Sequence, residues 1–188
     1  MRANGLQDKS LYDYNFVNDN GYNPEIQKAH DYVAHWEEMK DKSLGLLFWG
    51  DVGTGKSFLA GCIANALLDK GIPVLMTNFS RIMNTLTGMY PDDRNRFIDS
   101  FNQYSLLIID DLGTEAQSSV SLQFLFELIN KRILSNKKMI ISTNLNMSEI
   151  TKRYTARIAS RVYESFEILN FKGRDIRIQK LEKGNRND

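Results

Sequence analysis

The sequence predicts an α/β protein whose parallel sheet is covered by helices on both faces. Short apolar runs (Leu44–Trp49, Pro73–Thr77, Leu106–Asp110 and Met139–Thr143) alternate with longer stretches of helical periodicity, the pattern of strands buried on both sides. The first run ends in a glycine-rich turn, Gly50 to Gly55, that opens a helix. The 188 residues are 42% hydrophobic and 25% charged, with 12 Gly and 3 Pro, which suits one globular domain and excludes a disordered, fibrous or disulfide-stapled chain.

Residues 1–23 read as a polar approach segment, 24–180 as the domain, and 181–188 as a frayed polar tail. Pro24 starts a helix to Met39, with Ile26, Ala29, Val33 and Trp36 on one face. The first strand, Leu44–Trp49, leads through the glycine turn into a helix over Lys56–Lys70, whose stripe of Leu59, Cys62, Ile63, Ala66 and Leu67 stops at Gly71. After the second strand, Pro73–Thr77, two helical stretches follow, Ser80–Leu86 and Arg94–Asn102. Leu106–Asp110 is a third strand, Leu122–Ser135 a strongly apolar helix and Met139–Thr143 a fourth strand. A helix over about Ser148–Tyr163 precedes one or two strands, Glu167–Phe171 and Asp175–Gln179.

With 24 Lys+Arg against 23 Asp+Glu the net charge is +1, so the whole chain announces no polyanionic partner. Residues 150–188 nevertheless hold ten basic residues against five acidic ones, an end that could face phosphates, an acidic partner or water. The lone Cys62 sits in an apolar helical stretch, which suits a reducing compartment and makes the cytoplasm the default. The N-terminus has no apolar core of a leader, and no apolar run reaches the roughly 18 residues of a membrane helix. His30 and His35 lie in the first helix with one lone Cys elsewhere, which does not make a zinc ligand set.

Gly50-Asp51-Val52-Gly53-Thr54-Gly55-Lys56-Ser57 fits G-x-x-x-x-G-K-[ST] at every fixed position and lies between a strand and a helix, as that phosphate loop requires. The glycines let backbone N–H groups approach phosphate oxygens at a helix N-terminus. Lys56 is expected on the β- and γ-phosphates and Ser57 on Mg²⁺. Gly50, Asp51, Val52, Gly53, Thr54, Gly55, Lys56, Ser57 and Phe58 form the candidate nucleotide site. Such a loop needs a second strand ending in acid, and Leu106-Leu107-Ile108-Ile109-Asp110-Asp111 supplies it: Asp110 beside the metal, Asp111 to orient or deprotonate the attacking water. Asp111 reaches one methylene less far than the Glu common at that place. Asn144 follows the apolar strand Ile140–Thr143, where an amide can bond a γ-phosphate oxygen and the water; the bland alternative is an asparagine that starts a loop.

The runs GLLFWGDVGTGKS, LLIIDDLGTE and IISTN, in that order and spacing, resemble the AAA+ module of the DnaC/DnaI-type replicative helicase loaders, a pattern shared by IstB-like transposition helper ATPases. The resemblance covers about residues 10–180, and the run Asp110, Asp111, Leu112, Gly113, Glu115 is more particular to this group than the phosphate loop. It implies a P-loop NTPase core with a five-stranded parallel sheet of order 5-1-4-3-2 and no helical lid domain.

It also implies ATP-dependent self-association in which an arginine reaches the neighbour's γ-phosphate. Ala156–Val162 resembles the helix that carries it, which assigns the role to Arg161 with Arg157 second; the competing reading is two solvated arginines on one face. Single-stranded DNA is the group's usual cofactor, and the corresponding stretch, Asn78–Tyr90, offers Arg81, Thr85, Thr87 and Tyr90 for backbone tracking and base stacking, or else ordinary helix surface.

Loaders usually carry a separate N-terminal region that grips the helicase. Here the first ATPase helix begins by about residue 24, so either the chain is a fragment or its partner contact differs. Without a lid no second sensor arginine is assigned, although Arg174 lies near where one would reach. The expected activity is ATP hydrolysis with Mg²⁺, weak alone and stimulated on assembly with single-stranded DNA and the replicative DNA helicase. The rivals are a transposition helper ATPase and a nucleotide-gated DNA-binding adaptor with negligible turnover.

Overall fold

The computed structural model of the chain describes residues 5–38, 45–173, 175, 176 and 178. Five parallel strands, β1 (Gly45–Gly50), β2 (Val74–Asn78), β3 (Leu106–Leu112), β4 (Lys138–Thr143) and β5 (Phe166–Phe171), form one sheet in the order β2-β3-β4-β1-β5. This is the expected order read from the other edge. Among the described residues the α-helices that connect or precede them are α1 (Ile26–Ala34), α2 (Lys56–Asp69), α3 (Phe79–Thr87), α4 (Pro91–Ser100), α5 (Ser119–Leu134) and α6 (Met147–Ser165).

Strand side chains alternate between two apolar layers, as the pleat dictates. Leu47, Leu107, Ile109, Met139 and Ile141 face α3, α4, α5 and α6, in a core with Phe79, Phe124, Leu128 and Ile158. Leu46, Phe48, Leu106, Ile108 and Ile140 face α1 and α2, against Val33, Trp36, Leu59, Ile63 and Leu67. Both faces are dry, which is why the strands read as continuous apolar runs. Because β1 connects to the far edge while β4 connects back past β1, the loops after β1, β3 and β4 meet at one end of the sheet. That crevice is where ligands sit in open parallel sheets.

Local chemistry sets most boundaries. Ser118 and Ser121 cap α5 reciprocally, and Asn146 and Glu149 do the same for α6, so each begins a few residues or one residue before its apolar periodicity. α4 begins at Pro91, three residues before the expected start, because Pro occupies its first turn with Asp92 and Asp93 at the positive end of the helix dipole. α1 stops at Ala34 rather than Met39, although Trp36 beyond it is buried as the periodicity requires. Asp175–Gln179 is not a strand where it is described: Ile176 and Ile178 lie in a helical turn closed by the Ile178 N–H on the Asp175 carbonyl at 3.1 Å. Leu44, Arg174 and residues 180–188 lie outside the described residues.

The N-terminal segment packs on the core. Leu6 is buried and bridges Met76 in parallel at the β2 edge, and Asn65 on α2 holds the segment through the Leu11 and Tyr14 carbonyls, both at 2.8 Å. No helix among the described residues is long and apolar enough to cross a membrane.

Arg132 on α5 is fully buried and fastens the opposite end of the sheet. Its guanidinium donates to the carbonyls of Phe101 (3.0 Å), Tyr104 (2.8 Å), Ser105 (3.3 Å) and Lys138. Burial pulls its pKa down to about 10, so the folded state holds a cation neutralised chiefly by peptide dipoles. Arg132→Ala takes the guanidinium donor from the part-buried Tyr104 carbonyl and leaves the Phe101 and Ser105 carbonyls with the N–H groups of Tyr104 and Lys138, each at 3.2 Å, and is expected to cost about 3 kcal/mol in urea unfolding. A loss within 0.5 kcal/mol would contradict this reading.

Candidate nucleotide site

Lys56 and Ser57 open α2, whose N-cap, Gly55, sits in the left-handed region (φ 93°) and provides no side-chain cap. Gly53 is also left-handed (φ 78°), a conformation that side-chain-bearing residues adopt only with strain. The first amides of α2 are therefore available to an anion at the positive end of a fourteen-residue helix. The Lys56 ammonium is buried and donates to the Gly50 and Asp51 carbonyls at 2.7 Å each. Burial lowers its pKa, opposed by the charges of Asp111, Asp110 and Asp51.

Asp110 emerges beside Ser57 at the end of β3. Its Oδ1 accepts from Ser57 Oγ at 2.9 Å and from Ser142 Oγ on β4. Burial raises its pKa, the nearby Asp111 adds to the rise, and the two serine hydroxyls oppose it. Asp111 takes a positive φ of 52°, its N–H donating to Ser142 Oγ at 2.9 Å, where β3 slips its register against β4. That turn aims two consecutive carboxylates at the same crevice, which a regular strand would send to opposite faces.

A cavity of about 440 Å³ is lined by Val52, Gly53, Gly55, Lys56, Ser57, Phe58, Asp111, Thr114 and Asn144, so the loop, the acidic turn and the proposed amide sensor share one space. Its remaining lining comes from Tyr14, Asn18, Asp19, Asn20, Asn23 and Ile176. None of these is a site candidate from the sequence, where residues 1–23 read as a polar approach segment and Ile176 as part of a strand. Local turns shape the segment: Asn15, Asp19, Asn20 and Asn23 each accept a backbone N–H two or three residues on. The segment is further tied in by Asn23 Nδ2 on the Gly55 carbonyl (3.4 Å), and the Ile176 N–H bonds the Gly53 carbonyl at 2.9 Å from the other side.

Ser57 and Asp110 offer two hard oxygens in contact, and burial disfavours the charge of the Asp110 carboxylate until a cation offsets it, which fits a small divalent cation that keeps waters and takes phosphate oxygens. No group of three His, Cys, Asp or Glu among the described residues forms a cage for a metal by itself.

Arg161 and Arg157 are elsewhere. Both lie on the exposed side of α6, outside the lining of their own chain's cavity; the Arg161 side chain is 47% exposed and pairs with Glu164 at 3.4 Å. In the region proposed for DNA, Arg81 donates to the Gln7 carbonyl at 3.1 Å, while Thr85 and Thr87 turn their hydroxyls onto the Arg81 and Met83 carbonyls of α3. Tyr90 presents an almost bare ring, 79% exposed. Arg81 also joins Asp110, Asp111 and Thr114 in lining a neighbouring cavity of about 220 Å³.

Residues 1–183 match the family described as IstB-like ATP binding protein. The chain belongs to that family. The replicative helicase loader DnaC of Escherichia coli (strain K12) is 29% identical over 140 residues, covering 73% of this chain and 56% of that protein. The chain thus spans about half the length of the helicase loaders it matches. Among solved structures, that of DnaI superposes with a TM-score of 0.75 at 24% identity, covering 89% of this chain and 96% of that one. The structure of the DnaC helicase loader gives 0.74 at 22% identity, covering 88% and 100%. The sheet order agrees with an AAA+ module of the DnaC/IstB type.

Proposed function

We propose that this chain binds ATP with Mg²⁺ and hydrolyses it as a cytoplasmic helicase-loader ATPase, weakly alone and faster when assembled with single-stranded DNA and a replicative DNA helicase. One observation carries the reading: Lys56, Ser57, Asp111 and Asn144, from the ends of three parallel strands, line one cavity at an uncapped helix N-terminus, while the arginine-bearing face of α6 lies outside it.

The loop amides and the Lys56 ammonium would hold the phosphates once Lys56 exchanges its two carbonyl acceptors for phosphate oxygens. Ser57 and Asp110 would hold magnesium, which when bound would neutralise charge on the β- and γ-phosphates. Asp111 orients the water and accepts its proton, and Asn144 contacts the γ-phosphate. Transition-state charge lacks an arginine until Arg161 of a second copy supplies it, which accounts for weak activity alone. Arg81, Thr85 and Tyr90 are proposed to meet DNA, with Tyr90 as the stacking ring.

A second reading is a transposition helper, favoured by the match to the IstB-like family across residues 1–183. Both readings predict nucleotide-gated DNA binding. Fluorescence anisotropy of a labelled single-stranded oligonucleotide at fixed salt should show tighter binding with a non-hydrolysable ATP analogue than with ADP. Equal affinity in the two states would contradict a nucleotide-gated DNA module; pull-down with a helicase or a transposase separates the two partners.

A further inference from the structure

Glu115 is an almost fully buried acid five residues beyond Asp110, its side chain 3% exposed, and the chemistry assigned to the cavity makes no use of it. Its carboxylate has three partners on two elements. Oε2 accepts from the Gly113 N–H at 2.9 Å, within the turn that aims Asp111. Oε1 accepts from the Tyr154 hydroxyl on α6 and stands 3.7 Å from the Arg153 guanidinium. Arg153 returns to the same segment by donating to the Glu115 carbonyl, and Gln117 Nε2 donates to the Arg153 carbonyl. The loop after β3 and the first half of α6 are thus clamped through one buried charge. Burial and the facing Glu115 carboxylate push the Tyr154 phenol well above its usual range, which keeps its proton on the hydroxyl that donates to Glu115.

The clamp stops at a break. Thr155 has φ 71° and ψ 155°, non-helical values that divide α6 immediately after Tyr154. A β-branched residue at positive φ is costly, so the surrounding contacts must impose it. Beyond the break lies the half-helix that carries Arg157 and Arg161. Displacing the turn at Asp111 therefore pulls on Gly113, Glu115 and Tyr154 in succession, and the next joint on that path is the hinge of the arginine-bearing segment.

We propose that Glu115 is a positioning residue that couples the acidic turn after β3 to the arginine-bearing half of α6, so that nucleotide at the acid pair sets how Arg161 is presented to a second copy of this chain. This rests on the proposed hydrolysis and on the trans role of Arg161. Glu115 does not touch the reacting atoms; it holds Asp111 in its own site and Arg161 for its neighbour's.

Glu115→Gln keeps the shape but cannot accept from both Gly113 and Tyr154 with full charge, and Tyr154→Phe removes one arm only. Assembly-stimulated kcat per folded protein should fall about tenfold in Glu115→Gln, less in Tyr154→Phe, and no further in the double variant, with KM for ATP unchanged. Unaltered kcat, additive losses, or a loss explained by a lower folded fraction would overturn the coupling. Hydrogen exchange gives a readout without turnover: the ATP analogue should change protection over residues 156–165 in the parent chain, and Glu115→Gln should abolish that change while retaining nucleotide affinity. Persistence of the change in Glu115→Gln would overturn the proposal. If the parent chain binds nucleotide without hydrolysing it, the hydrolysis reading fails, and the exchange result still decides the role of Glu115.

Discussion

Arg161→Ala is expected to leave ATP affinity intact and to lower assembly-stimulated hydrolysis by roughly 10³- to 10⁵-fold, the worth of an arginine supplied to the transferring phosphate in GTPases. The basis is geometric. Arg161 is half exposed, paired among the described residues with the exposed Glu164 on its own helix, and absent from the lining of its own cavity. An exposed pair of that kind contributes little to stability, so the substitution should not unfold the chain. Once a neighbour brings the guanidinium against the γ-phosphate in a water-excluded interface, the same charge acts where negative charge develops. Steady-state turnover with saturating DNA and partner, beside nucleotide binding by fluorescence titration, separates the two effects. Undiminished stimulated turnover would remove Arg161 from the mechanism, and Arg157 on the same face would be substituted next.

Lys56→Ala should abolish detectable nucleotide binding, lowering affinity by roughly 10² or more, since each hydrogen bond from the ammonium to a charged phosphate is worth about 1.5–3 kcal/mol. The substitution also orphans the Gly50 and Asp51 carbonyls, which Lys56 occupies at 2.7 Å each. A desolvated cation is removed at the same time, which offsets part of that loss, so the unfolding midpoint should fall only modestly. Calorimetric titration with ATP and Mg²⁺ measures the loss, and affinity within a few fold of the parent would contradict the phosphate-loop assignment.

Those two residues lie at opposite extremes of what the sequence alone discloses. Lys56 is legible because its signal is local: a fixed spacing, a strand before it and a helix after it. Each buried strand was legible for the same reason, since apolar runs such as Leu106–Ile109 face two dry layers and need no partner to be recognised. The strand order was carried by family resemblance, because no local periodicity tells β1 that it lies between β4 and β5. Contacts between distant segments left no trace. Leu6 pairing with Met76, Asn65 gripping Leu11 and Tyr14, and Tyr14 to Asn23 lining the cavity join stretches that read separately as polar approach and apolar helix. Asp175–Gln179 shows the converse failure. Its alternating Ile176 and Ile178 have the period of a strand, yet the described residues form a helical turn, with Ile176 bonded to the phosphate loop. The buried Arg132 and Glu115 were not legible as buried either, because a charged residue reads as surface until its carbonyl, hydroxyl and amide partners are in place.

In a site completed in trans, one chain supplies the cavity and another supplies the arginine. Mixing the two inactive variants tests it most directly. Arg161→Ala retains an intact cavity, and Lys56→Ala retains an intact Arg161, so a mixture forms productive interfaces that neither variant forms alone. With DNA and partner present, equal amounts of the two are expected to recover a substantial fraction of parental ATP turnover, rising with total protein concentration. A mixture as inactive as its components, with both variants folded and able to associate, would contradict a site completed in trans.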